Sequence, residues 1–132
     1  MVEIYTDGAS RGNPGKSAFS GVIVKKRQIV KIYSELLGIS TNNVAEYSAI
    51  IKALEEGYLL KESKVTIFSD SELAISQING LYKVKAPHLV GLLRVVQQKR
   101  SLFESVNFEH VSRENNYTRI ADKLCSFILG PK

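Results

Sequence analysis

Four acidic residues stand where the chain changes its local pattern. Asp7 follows the β-rich run VEIYT, Glu46 comes early in TNNVAEYSAIIKALEEGYLL, Asp70 follows KVTIFS, and Asp122 sits in the last apolar stretch, RIADKLCSFILG. Ends of strands are where sites gather in open sheets, so the chemistry to consider is one worked by carboxylates. Other reactive side chains are scarce: Cys125 is the only cysteine and reads as a core thiol, and the two histidines, His88 and His110, read as structural. Each acid also has an ordinary reading. Asp7-Gly8 is a strong hairpin signal, Asp70 an N-cap, Glu46 a helix glutamate and Asp122 a surface acid. Four such coincidences together are less plausible than one shared site. The background adds weight, because 18 Lys and Arg against 13 Asp and Glu give a net charge of +5 and a sequence pI near 9.4. That balance suits an acidic polymer as partner, and leaves little use for carboxylates except where they do something specific.

The elements that must position these acids are legible from periodicity. Residues 2–6 read as a strand, FSGVIVKK as a second and QIVKIYSELL as a third, with Arg27-Gln28 as the hairpin turn, giving three antiparallel strands. The stretch from 41 to 60 changes period: Tyr47, Ile50, Ile51, Leu54 and Tyr58 mark an amphipathic helix capped by Thr41 or Asn42. Glu46 lies about 40° from Ile50 at ~100° per residue, so it borders the buried stripe and points toward the sheet. KVTIFS is a fourth strand, and DSELAISQIN a short helix capped by Asp70 or Ser71. Strand, helix, strand in that order implies a right-handed crossover with parallel strands. GLYKVKAPH reads as a linker, a helix starts near Pro87, SVNFEHV is a fifth strand, and the loop SRENNYT leads to a last helix with Ile120, Ala121, Leu124 and Ile128 on its apolar face. The sum is a mixed α/β domain, a five-stranded mixed sheet flanked by helices.

Length and composition limit the function classes. With 132 residues, residues 1–132 are expected to form one domain that folds without disulfides or structural metal. No apolar run approaches the ~18 residues of a membrane span, and, with Met1 leading straight into a strand, no leader sequence is expected. A lone cysteine points to a reducing compartment, so a cytoplasmic location and a monomer without membrane contact are expected.

YTDGAS with GNPG behind it, TNNVAE opening the first long helix, FSDSEL at the fourth strand and IADKL in the last helix together resemble type 1 ribonuclease H. The resemblance covers essentially the whole chain, and is nearest to the short archaeal and bacterial members, since Gly80 to Ser101 has room for one helix but not for a basic protrusion. It implies a ribonuclease H-like fold and an endoribonuclease that hydrolyses the RNA strand of an RNA–DNA hybrid, leaving 5′-phosphate and 3′-hydroxyl ends. Two Mg²⁺ ions, with Mn²⁺ as substitute, would be held by Asp7, Glu46, Asp70 and Asp122, a set of hard oxygen ligands that needs neither His nor Cys. Asp7 would bridge both ions, Glu46 and Asp70 hold the leaving-group ion and Asp122 that of the nucleophile. Gly8 would let backbone approach the nucleic acid closely.

The resemblance also implies contacts of Gly8, Ser10, Asn13, Asn43, Ser71 and Glu72 with the RNA strand, whose 2′-hydroxyls tell RNA from DNA. Thr41, Asn13 and Asn42 match a pocket for a DNA-strand phosphate. Tyr82, Lys83 and Lys85 could replace the missing protrusion. Two positions depart from the family: Glu72 stands where many members carry Gln, and HVSRENNYTRIAD offers Glu114, with Arg113 beside it, where many carry a mobile His. Double-stranded RNA is a further candidate substrate. Two rivals remain, a catalytically silent binder of hybrid or double-stranded RNA and a 3′→5′ exonuclease on the same fold. The exonucleases resemble Asp-x-Glu in the first strand, where this chain has Asp7-Gly8-Ala9.

Overall fold

The computed structural model describes residues 1–131. Its elements run β1 (Val2–Gly12), β2 (Gly15–Lys25), β3 (Gln28–Ser40), α1 (Asn42–Leu59), β4 (Lys64–Ser69), α2 (Glu72–Ile78), α3 (Pro87–Arg100), β5 (Ser105–His110) and α4 (Asn116–Leu129). The sheet order is β3-β2-β1-β4-β5, with β1, β2 and β3 antiparallel and β4 and β5 added parallel to β1. This is the expected mixed α/β sheet, including the crossover between β4 and β5.

Several boundaries differ from the sequence reading, each for a local reason. GASRG is not a loop: β1 runs on to Gly12, pairing Gly8 with Phe19, Ser10 with Ser17 and Gly12 with Gly15 around a cis Asn13–Pro14 peptide. Asp7 therefore lies inside β1, opposite Ser20, and Asp7-Gly8 is no turn. The β2–β3 turn is Lys26-Arg27, both left-handed at φ 53° and 65° as a two-residue hairpin requires, so it falls one residue before the expected Arg27-Gln28. Thr41 caps α1, its Oγ1 accepting from the Val44 amide at 3.3 Å, and Asn42 is the first helical residue. Ser71, not Asp70, caps α2. Asn115 caps α4, accepting from the Tyr117 and Thr118 amides, and so starts that helix three residues before Arg119.

Packing on the two faces of the sheet differs. On one face α1, α2 and α3 cover Ile4, Ile23, Ile67, Val106 and Phe108 with Tyr47, Ile50, Leu54, Ile75 and Val96. Tyr58, expected in that stripe, is 54% exposed because it lies at the last turn of α1, past the sheet. On the other face α4 lays Ala121, Ile120, Leu124 and Tyr117 over Tyr5, Val22, Val24 and Phe68, with the Tyr5 and Phe68 rings stacked at 4.6 Å. Cys125 is fully buried here, as expected of a core thiol, against Ser20 Oγ at 3.2 Å. His88 and His110 are both exposed, so neither has a packing role.

Candidate active site

The parallel ladder of β1 and β4 ends at the pair Thr6 and Ser69. The next residue on each strand is an aspartate, so register alone sets Asp7 and Asp70 side by side. There the strands part: β4 stops while β1 continues along β2, opening a gap between strand ends of the kind in which ligands bind. Glu46 arrives from the first turns of α1. A Cβ at Gly8 would collide with the Ala45 carbonyl carbon and the Glu46 amide, so Gly8 is required for α1 to seat on β1. Helix backbone, not nucleic acid, fills the space that glycine leaves. In return the Gly8 amide donates to Glu46 Oε1 at 2.6 Å, fixing that carboxylate over the strand.

Asp7, Glu46 and Asp70 each offer an oxygen within 4.8 Å of the others. Asp7 and Glu46 are 5% and 8% exposed, and Asp7 Oδ2 is buried without a hydrogen-bond partner. Three acids so placed repel one another. Burial first, then Asp70 and Asp122, push the Asp7 carboxyl up from 3.8 to about 7, with Cys125 and Arg113 pulling the other way. Burial, then Asp7 and Asp70, raise Glu46 well above the ordinary glutamate range against the Gly8 hydrogen bond. An orphaned carboxylate oxygen in an acidic cluster is a group that a cation would satisfy, and all-oxygen donors suit a hard divalent one.

The cluster forms the floor of a pocket of about 370 Å³ whose walls include Ser10, Asn42, Arg113, Glu114, Arg119 and Asp122. Asp122 is exposed on α4 and stands outside the tight trio. Arg113 Nε lies 3.7 Å from Asp70 Oδ2 while its side chain stays 81% exposed. Glu114 is exposed, its amide donating to Ser112 Oγ at 3.1 Å.

Residues 5–128 match the family model described as "Reverse transcriptase-like". The N-terminal RNase H domain of Rv2228c from Mycobacterium tuberculosis superposes with a TM-score of 0.91 at 34% identity, over 97% of this chain and 92% of that one. RNase H1 from the halophilic archaeon Halobacterium salinarum superposes at 0.89 and 34% identity, over 94% and 93%. LC11-RNase H1, solved in complex with an RNA/DNA hybrid, gives 0.87 at 35% identity over 95% and 94%. The chain belongs to the type 1 ribonuclease H family. It spans 34% of the length of the whole mycobacterial protein, a "bifunctional protein" 35% identical over 127 residues, and 58% of the halobacterial ribonuclease HI.

Within the ribonuclease H domain, the pocket gathers nine of the residues singled out from sequence: Asp7, Gly8, Ser10, Asn42, Glu46, Asp70, Arg113, Glu114 and Asp122. Asn13, Thr41, Asn43, Ser71, Glu72, Tyr82, Lys83 and Lys85 do not line it. Asn13 and Thr41 gather beside it at the N-terminus of α1, where Asn13 Oδ1 accepts from the Asn42 amide at 3.1 Å. Ser71 and Glu72 open α2, and exposed Tyr82, Lys83 and Lys85 lie in the connection from α2 to α3. Sequence reasoning missed Ala9 and Arg119. Arg119 precedes Asp122 by three residues, hence shares its face, and that spacing is the signal that could have found it.

Proposed function

We propose that this domain is an endoribonuclease that hydrolyses the RNA strand of RNA–DNA hybrids, leaving 5′-phosphate and 3′-hydroxyl ends, with Asp7, Glu46, Asp70 and Asp122 holding divalent cations. The observation that carries the reading is the trio of carboxylates, Asp7 and Glu46 buried and Asp70 half-buried, with one unpartnered oxygen on Asp7. Mg²⁺, with Mn²⁺ as substitute, would supply charge stabilisation at the attacking and leaving oxygens of an in-line displacement and a water of lowered pKa.

The chain's own residues do the positioning. The β1–β4 register fixes Asp7 beside Asp70, and the Gly8 amide holds Glu46 in one rotamer, so these donors need little reorganisation on loading. Asp122 lines the same pocket from α4. Asn13, Thr41 and Asn42 form a polar corner at a helix N-terminus, a setting that favours a phosphate oxygen. Ser10, on the strand flanking the cluster and lining the pocket, is the residue of this strand proposed to meet the RNA strand, whose 2′-hydroxyls are the feature that separates RNA from DNA. A silent binder would gain nothing from buried acids that face a polyanion.

The test is a labelled RNA–DNA hybrid incubated with Mg²⁺, Mn²⁺ or EDTA beside an all-DNA duplex of the same sequence. Internal cuts in the RNA strand alone, with 5′-phosphate ends and none in EDTA, are expected. Equal cutting of both duplexes, or cutting that survives EDTA, overturns the reading.

A further inference from the structure

The outer face of α4 carries cations and an aromatic ring to which the proposed function gives no role. Arg119, Lys123 and Phe127 follow at intervals of four residues, so they stand in one row with steps of about 6 Å along the helix axis. Arg119 lines the carboxylate pocket, whereas Lys123 and Phe127 line a second groove of about 560 Å³ together with Arg11. The two depressions are neighbours. β1 gives Asp7 to Ser10 to the first and Arg11 to the second, and α4 gives Asp122 to the first and Lys123 to the second.

Phe127 is 87% exposed, more than any other large apolar side chain among the described residues. A solvated phenyl ring of that size stabilises nothing within the fold. Among the described residues neither Arg119 nor Lys123 is in an ion pair. Arg11 Nη1 and Lys16 Nζ donate to the Leu129 carbonyl at 3.4 and 3.1 Å, which adds positive charge around the rim.

We infer that this row is a track for a single nucleic-acid strand that continues from the duplex at the carboxylate pocket, with Arg119, Lys123 and Arg11 meeting phosphates and an unpaired base lying on the Phe127 ring. A cationic groove that ends on an exposed aromatic ring is the combination that binds single strands without sequence preference, and a base can reach such a ring only where it is not already paired. The inference rests on the proposed function, since it takes the hybrid at the pocket as its starting point. It adds a substrate class: hybrids flanked by a single-stranded extension.

The experiment is fluorescence anisotropy in EDTA with RNA–DNA hybrids that are blunt or carry a short RNA or DNA extension on either side. The wild-type domain is expected to bind one extended form about tenfold more tightly than the blunt one. Phe127→Ala should bring that ratio to about one, Phe127→Tyr should keep it, and Lys123→Ala should flatten the salt dependence for the extended form by ~0.7 in log–log slope. No preference for any extension in the wild type, or a preference that survives Phe127→Ala, overturns the track. Failure of the underlying reading looks different, because blunt hybrid is then left uncut by the wild-type domain in Mg²⁺.

Discussion

The two halves of the carboxylate pocket are built on different principles. The inner half is Asp7, Glu46 and Asp70, set by strand register, a helix seated on Gly8 and one 2.6 Å hydrogen bond. The outer half is Arg113, Glu114 and Arg119, all exposed and carried by a loop and the solvent side of α4, while Asp122, exposed on the same helix, goes with the cation-holding acids of the proposed function. Burying like charges opposes folding, so the inner half holds its geometry at the expense of stability. The outer half is exposed to solvent and carries no such cost. Chemistry that demands fixed ligands belongs to the first, and steps that demand motion belong to the second.

That division can be broken by substitution. Asp7→Asn should abolish cleavage, a loss on the order of a thousandfold or more if several kcal/mol of transition-state stabilisation disappear, while hybrid binding survives or tightens as negative charge facing phosphate falls. More than about a tenth of wild-type activity would contradict the assignment. Gly8→Ala should next destabilise the whole domain by at least ~2 kcal/mol in urea or thermal unfolding, because helix backbone blocks the new methyl group.

A third expectation concerns pH in the absence of metal. Asp7 titrates at about 7 when folded against 3.8 as the ordinary value, so its protonated form is the one the fold favours. Its contribution is fully present below about pH 4 and is lost as pH rises through about 7. Glu46 is shifted in the same direction. The thermal midpoint of Asp7→Asn minus that of the wild type, measured in EDTA, should therefore grow across this window. A flat difference contradicts the buried-charge account.

The smallest effect should come from the outer half. If Glu114 acts in product release, Glu114→Gln lowers steady-state turnover by a few-fold yet leaves single-turnover cleavage nearly intact. An equal fall in both assigns Glu114 to the chemistry, and no change in either leaves it a solvated loop residue.

What sequence could and could not show follows the same division. Strands, helices and the four acids are legible because apolar period and the motifs around Asp7, Glu46, Asp70 and Asp122 are local properties. The extension of β1 through GASRG is not, since small and polar residues carry no strand signature and become strand only by pairing with β2. The role of Gly8 was hidden likewise, because nothing local shows that α1 crosses at that point. The start of α4 was not legible either, since Asn115 fixes it through a cap that tertiary context selects.

Isothermal titration of Mn²⁺ or Mg²⁺ into the wild-type domain, Asp7→Asn and Glu114→Gln tests most directly whether the trio of Asp7, Glu46 and Asp70 is a cation centre. Saturable binding in the wild type, lost in Asp7→Asn and retained in Glu114→Gln, is the predicted result. Equal binding by wild type and Asp7→Asn, or none by the wild type, would contradict the account.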